Sequence, residues 1–141
     1  MYQKIIVVGN LGGDPEMRYM PDGTAVTNFS VASNRRWTDG ATGQPRDETT
    51  WFRVSVWRKQ AETVNQYLSK GSKVLVEGRL RPDPASGGPR TYTRQDGTVG
   101  ASFEITADTV RFLSTREEDA SYSGDDGYEG EPAAEEDDIP F

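Results

Sequence analysis

Apolar residues recur at strand spacing along most of the first 112 positions, and at helical spacing in one short segment. Extended segments are predicted at residues 2–9, 24–36, 49–58, 72–80, 90–95 and 99–112. Residues 59–70 place apolar side chains at helical spacing and end before Gly71, a typical C-cap. Gly78 predicts a bulge or a tight bend in the fourth strand, and Asp96-Gly97 predicts a tight turn before the last extended segment. The predicted order of elements is β-β-β-α-β-β, in which residues 90–95 and 99–112, joined by this turn, count together as the last strand.

This order predicts an all-β fold, a five-stranded Greek-key OB barrel with one helix between strands three and four. An SH3-like barrel and a small α+β sheet are the alternatives that the same order leaves open. The apolar pattern stops near Leu113, and the remaining residues are rich in acid, Gly and Ser without a helical or strand period. Such a segment cannot offset its ordering entropy. We therefore expect a barrel domain over residues 1–113 and a disordered acidic tail over residues 114–141.

The net charge of −7 conceals two segments of opposite sign. Residues 1–113 hold 15 Lys and Arg against 12 Asp and Glu, a net charge of +3. Residues 114–141 hold one Arg against 11 acids, a net charge of −10. The whole-chain average argues against a nucleic-acid partner, but a mildly basic body is compatible with one.

The chain has neither cysteine nor histidine. Disulfides and thiolate metal sites are thereby excluded, and a cytoplasmic location is the default. Histidine is the commonest general acid–base and a frequent zinc ligand, so an enzyme here would need paired carboxylates. The close acidic pairs near predicted strands, Asp47-Glu48 and Asp14/Glu16, are typical of turns. We expect no catalytic residue, no metal, no cofactor and no membrane span.

The third strand carries the clearest chemical signal. Alternate residues of a strand face opposite sides, and the set that includes Phe52 and Val54 is apolar and predicts the core. The other set then points outward and includes Trp51, Arg53 and Trp57. Burying an unpaired guanidinium between two indoles is costly, whereas exposed aromatics beside a cation can stack bases and hold phosphates. A protein–protein interface is the strongest alternative for this face.

Two other segments repeat the combination of an aromatic ring with neighbouring cations. They are Arg35-Arg36-Trp37 at the end of the second strand, before a loop predicted at residues 37–48, and Arg90, Tyr92 and Arg94 on one face of a later strand. In an OB barrel the loops after strands one and four flank the binding face. Together the segments predict a platform for single-stranded nucleic acid, with DNA and RNA both open, and with a protein-only adaptor as the alternative class.

The last five residues differ from the acidic segment before them. Asp137 and Asp138 lead into Ile139, Pro140 and Phe141, which ends in a free carboxylate. Exposed apolar residues at a chain end serve no folding purpose, and they suit an apolar pocket with a basic rim. We expect this tip to bind partner proteins.

Several stretches resemble bacterial single-stranded DNA-binding proteins of the homotetrameric OB-fold type. They are VVGNLGGDPEMRYMPDG at residues 7–23, ATGQPRDETTWFRVSVW at 41–57, YLSKGSKVLVEGRLR at 67–81, and the terminal DDIPF. The resemblance implies sequence-independent binding and protection of single-stranded DNA in replication, recombination and repair. It also implies a homotetramer located in the cytoplasm with the nucleoid, without catalysis, and with partner proteins recruited by the tip.

The resemblance also assigns roles to single residues. Aromatic rings at Trp37, Trp51 and Trp57 would stack on bases, and cations would follow the DNA at Arg53, Lys59, Lys70 and Arg81. The family's other stacking tryptophan has no match after residue 81, where the loop reads PDPASGGP. Tyr92 is the stand-in, reached by an insertion in this loop. The tail is also shorter than in many relatives, which would affect how tetramers pack along DNA.

Overall fold

The computed structural model describes residues 1–114 of the chain. Its elements are β1 Ile5–Leu11, β2 Glu16–Tyr19, β3 Ala25–Thr38, β4 Pro45–Trp57, α1 Lys59–Tyr67, β5 Lys73–Leu80, β6 Arg90–Thr93 and β7 Val99–Phe112. Each predicted strand is present, and the helix ends at Tyr67 rather than at residue 70. Apart from Ser114, the predicted tail and its DDIPF tip lie outside the described residues. Within residues 1–114 no helix has the length and apolar character needed to cross a membrane.

Five long strands of the described region close into a barrel. β1 pairs with both β5 and β3, β3 pairs with β4, and β7 pairs with β4 and β5, so the ring has no gap. Every one of these pairings is antiparallel except β4–β7, which is parallel. The ring confirms the predicted OB barrel and excludes the small α+β sheet, and α1 lies between the third and fourth long strands as predicted.

The core follows from strand alternation. Valines at alternate positions of β4 and β5, together with Phe29 and Ile105, fill the interior of the barrel. α1 buries Val64 in this interior, and the Thr27 hydroxyl donates a 2.7 Å hydrogen bond to the Ala61 carbonyl, which ties the helix to β3. The register shifts between Glu77 and Gly78, which confirms the bulge predicted there.

Two segments differ from the sequence prediction. β2, at residues 16–19, pairs with β3 where no strand was predicted. The predicted loop at residues 37–48 was wrong, because β3 and β4 stay paired as far as Thr38 and Pro45. This long hairpin arm is held by cross-strand contacts between polar side chains, such as the 2.8 Å hydrogen bond from the Thr49 hydroxyl to Asn34 Oδ1. Both faces of the arm are exposed and carry mostly polar side chains, so no apolar period marked it as strand.

Candidate nucleic-acid interface

β4 has one buried and one exposed face, as its sequence predicts. Val54 and Val56 are fully buried, whereas 51% of Trp51 is exposed and Arg53 also reaches solvent. Ser55, the next residue on the outward face, is buried, and its hydroxyl donates a 2.7 Å hydrogen bond to Asn28 Oδ1 of β3. The outward direction predicted for Trp51 and Arg53 is therefore confirmed.

An open cleft of about 420 Å³ lies on this outward face, and we call it the first cleft. Trp51 and Arg53 line it from β4, Tyr92 lines it from β6, and Gly13 and Asp14 line it from the connection after β1. The structure thus brings together aromatic and cationic residues from two of the three predicted segments. The connections that follow β1 and β5 flank the cleft, as an OB barrel requires.

Tyr92 is placed by the short hairpin of β6 and β7. It lies opposite Gly100, and 49% of its surface is exposed. The Arg94 guanidinium carbon lies 5.4 Å from the centre of the Tyr92 ring, within cation–π range. Arg90 lies on the same face of β6, and its Nε is 2.8 Å from Glu104 Oε2. The charge of Arg90 is therefore offset by an acid that lies beside Arg53 in the strand register.

Trp37 lies on the hairpin arm, away from the first cleft. Ala32 is the β3 partner of Trp51, so the side chains of these two residues project from the same face of the hairpin. Trp37 is an odd number of residues from Ala32 along β3, so its indole projects from the opposite face. Arg36 leaves the same face as Trp51. The Arg35 guanidinium lies 4.6 Å from the centre of the Trp37 ring and pairs with Glu48 at 3.7 Å.

Trp57 lines a second cleft, of about 680 Å³, at the far end of β4. Arg58 and Arg79 supply cations to this cleft, and Asp22 and Asp108 supply acids. Trp51 and Trp57 therefore contribute to separate clefts from the same face of one strand.

The remaining predicted cations are all exposed but are differently placed. Lys59 begins α1, directly after Trp57 and Arg58. The backbone N–H of Lys70 donates to Asp14 Oδ1 at 2.8 Å, which places this lysine beside the first cleft. Arg81 follows β5, and its backbone N–H donates to the Glu104 carbonyl.

Among residues 1–114 no three acidic side chains lie close enough together to hold a metal ion. Two acids of the close pairs near the predicted strands have other partners. Asp14 accepts a hydrogen bond from the Lys70 N–H, and Glu48 forms an ion pair with Arg35.

Aspartate side chains hold the turns of the two hairpins that carry Trp37 and Tyr92. Hydrogen bonds from the Ala41 N–H, and further ones from Thr42 and Arg46, hold the pKa of Asp39 below its usual value. The Thr98 hydroxyl and then the Thr98 N–H hold the pKa of Asp96 below its usual value. The charged carboxylate is thus the form that each turn stabilises.

Sequence reasoning missed three exposed aromatic or cationic residues of these clefts. Phe103 lines the first cleft, is 55% exposed, and has its ring 6.0 Å from that of Phe52. Its position in β7 matches the core-facing register, so no sequence signal indicated that it lies at the rim of the barrel. Arg58 and Arg79 line the second cleft, and for Arg58 the adjacent Trp57 was an available signal.

The closed five-stranded barrel of residues 1–114, with aromatic and cationic side chains on its open face, defines an OB-fold protein with a surface suited to a nucleic-acid strand. The model of the single-strand binding protein family matches residues 2–113. The chain belongs to this family.

Relatives and a solved structure agree with this assignment. Proteins from Neisseria meningitidis serogroups A and B, both named single-stranded DNA-binding protein, are 41% identical over 117 residues. The match covers 83% of this chain and 63% of each relative, so the chain spans less than two thirds of their length. A structure described as a Plasmodium falciparum SSB complex with ssDNA aligns with a TM-score of 0.66 and 26% identity, over 81% of this chain and 97% of that one.

Proposed function

We propose that the protein binds single-stranded DNA independently of sequence and catalyses no reaction. The observation that carries this proposal is the first cleft, where Trp51, Arg53 and Tyr92 converge on one open face. Family membership supports it, as do the names of the Neisseria relatives and the single-stranded DNA of the Plasmodium complex. The preference for DNA over RNA rests on these relatives.

Two physical contributions account for the binding affinity, namely base stacking and phosphate neutralisation. Stacking of a base on an exposed ring contributes roughly 1–3 kcal/mol and tolerates any base, because every base has a π-face. A duplex hides those faces, so stacking selects unpaired strands. Arginine and lysine neutralise phosphates and release counterions, which gives affinity that falls as salt rises.

The path of the strand extends beyond the first cleft in this proposal. Trp57 and Trp37 offer further stacking surfaces from the far end of β4 and from the hairpin arm. Phosphate contacts come from the predicted cations of the barrel and the hairpin arm: Arg35, Arg36, Arg53, Lys59, Lys70, Arg81, Arg90 and Arg94.

Binding of a fluorescein-labelled oligo(dT), followed by anisotropy at several salt concentrations, tests this function. A duplex of equal length is the control. We expect clear preference for the single strand, and a slope of log affinity against log salt of about −0.7 per phosphate contacted. Equal affinity for the duplex would refute the proposed contribution of base stacking to affinity.

The proposal extends to partner recruitment in replication, recombination and repair. Asp137, Asp138, Ile139, Pro140 and Phe141 lie outside the described residues, and their role rests on their residue types and on the family resemblance. Removing residues 136–141 should abolish retention of partner proteins by the DNA-bound chain, while affinity for oligo(dT) holds or rises. A marked loss of DNA affinity in this truncation would contradict the separation of roles.

We further propose a homotetramer, located in the cytoplasm with the nucleoid. Ile6 of β1 is 57% exposed, and Val8 and Leu75 face each other beside it, only partly buried. An apolar surface of this kind on a barrel wall favours coverage by another copy of the chain.

A further inference from the structure

We propose that Gly12 and Gly100 are positioning residues that set the two aromatic rings of the first cleft for stacking. Each glycine lies where a ring rests directly on the backbone. The inference builds on the proposed function, since it assigns these glycines a role in presenting Trp51 and Tyr92 to bases.

Gly12 lies against the indole of Trp51. A Cβ atom on Gly12 would lie 2.5 Å from Cζ3 and 2.9 Å from Cη2 of Trp51, and 3.3 Å from Ser30 Oγ. Carbon atoms that are not bonded are in contact at about 3.5–4.0 Å, so the first two distances are clashes. The indole therefore occupies the space that any side chain at position 12 would need.

Gly100 has the same relation to Tyr92. The two residues are opposite each other in the β6–β7 ladder. A Cβ on Gly100 would lie 2.6 Å from Tyr92 Cζ, 2.8 Å from its hydroxyl oxygen and 2.7 Å from Arg94 Nη2. Both the ring and the guanidinium next to it thus lie over this glycine.

Backbone conformation does not explain why these positions are glycine. The glycines with a left-handed φ in residues 1–114 are Gly23, Gly43, Gly71, Gly87 and Gly97. Gly12 and Gly100 are outside that region, so a left-handed φ does not account for glycine at these positions.

Barrel packing does not explain them either. At Gly9 and Gly78 an added Cβ would run into backbone atoms of a neighbouring strand, and those two glycines are needed for the fold. At Gly12 and Gly100 the clashing atoms belong to the ends of side chains that line or border the cleft. Alanine there should leave the barrel in place and displace the ring.

The contact of each ring with the glycine backbone determines which part of the ring a base can reach. Trp51 is 51% exposed and Tyr92 is 49% exposed, so each ring has a covered part and an open part. A ring held in this way loses little conformational freedom on binding, and that preorganisation favours affinity. Displacing the Trp51 ring would weaken stacking without altering the phosphate contacts, whereas a side chain at Gly100 would displace the Arg94 guanidinium together with the Tyr92 ring.

The pair Gly12→Ala and Gly40→Ala tests this role in the full chain. Gly40 does not line the first cleft, has nothing within 4 Å of its added Cβ, and is likewise outside the left-handed region. We expect Gly12→Ala to lower affinity for oligo(dT) by about 5-fold or more, a stacking-sized effect. The salt slope and the thermal unfolding temperature of Gly12→Ala, and the affinity of Gly40→Ala, should stay as in the wild type.

A double-mutant cycle shows whether Gly12 acts through Trp51. In a Trp51→Ala background, Gly12→Ala should cause no further loss. If Trp51→Ala weakens binding but Gly12→Ala does not, the positioning role is wrong while the proposed function stands. If Trp51→Ala itself has no effect, stacking on Trp51 fails, and the positioning role fails with it.

Gly100→Ala provides an independent test should Gly12→Ala fold poorly. Gly40→Ala is its control, since an added Cβ there meets nothing within 4 Å. Gly100→Ala should weaken oligo(dT) binding in the wild type and have a smaller effect in a Tyr92→Ala background, where only the Arg94 guanidinium is left to be displaced. An equal effect in both backgrounds would overturn the proposal for this glycine.

Discussion

At the scale of single residues, the exposed face combines cations that are available with one that is paired. Arg90 is within 2.8 Å of Glu104, whose side chain is 17% exposed. Arg53 lies beside the same acid in the register of β4 and β7. A phosphate that binds Arg90 must replace this carboxylate, so Glu104 lowers the affinity of the face for a polyanion.

Replacing this carboxylate by the neutral amide in Glu104→Gln should therefore raise affinity for oligo(dT). It should also steepen the salt slope, by about 0.7 for each additional phosphate contact. Glu77→Gln is the matched control, because Glu77 pairs with Lys4 at 3.2 Å on another wall of the barrel and the change in net charge is equal. Equal gains in the two variants would mean that only net charge matters.

At the scale of elements, β4 was predictable because one of its faces is uniformly apolar. The alternation placed Val54 inside and Trp51 outside, and the structure confirms both. The hairpin arm was not predictable, because its polar residues are ordered by cross-strand partners that a single segment does not reveal. Within the site, aromatic residues next to arginine indicated Trp51 and Tyr92. The roles of Phe103 and Gly12 depend on where another strand lies.

Substitutions on the two faces of β4 should have separate effects, one on stability and the other on DNA binding. Val54→Ala removes fully buried methyl groups and should lower the free energy of unfolding by about 2 kcal/mol, with little change in DNA affinity of the folded protein. Trp51→Ala should leave the unfolding midpoint nearly unchanged and weaken binding by about 5- to 150-fold. Chemical denaturation and anisotropy check the pair. A large stability loss in Trp51→Ala would show that the indole is a core residue.

The aspartates in the hairpin turns make stability depend on acid pH. Hydrogen bonds lower the pKa of Asp22, Asp39 and Asp96 from 3.8 in the folded protein. Their contribution is present above the unfolded pKa, and it is lost as pH falls through the folded values, below about pH 4. Asp39→Asn and Asp96→Asn, which keep the turn but not the charge, should reduce the acid sensitivity of unfolding. Acid sensitivity equal to that of the wild type would contradict this assignment.

At the scale of the whole molecule, the barrel has an aromatic and cationic face and an apolar wall at β1. The proposed tetramer uses the wall for assembly and keeps the face open for DNA. Bases would then stack on several barrels along one strand, which raises affinity by linking the binding events.

A charge on the wall should disrupt this assembly. Ile6→Asp should lower the mass of the particle, measured by light scattering, from that of a tetramer to that of a smaller species, because the aspartate would be buried between copies. Val99→Asp is the control, since Val99 is 68% exposed on β7, beside β6. An unchanged mass in Ile6→Asp would exclude this wall as the interface.

Intrinsic tryptophan fluorescence, titrated with oligo(dT), tests the central claim most directly. The chain has three tryptophans, and all of them are proposed stacking residues. We predict that saturating oligo(dT) quenches the emission, and that Trp51→Ala loses part of the quenching together with affinity. Unchanged emission at saturation, with DNA bound, would contradict stacking of bases on the outward face of β4.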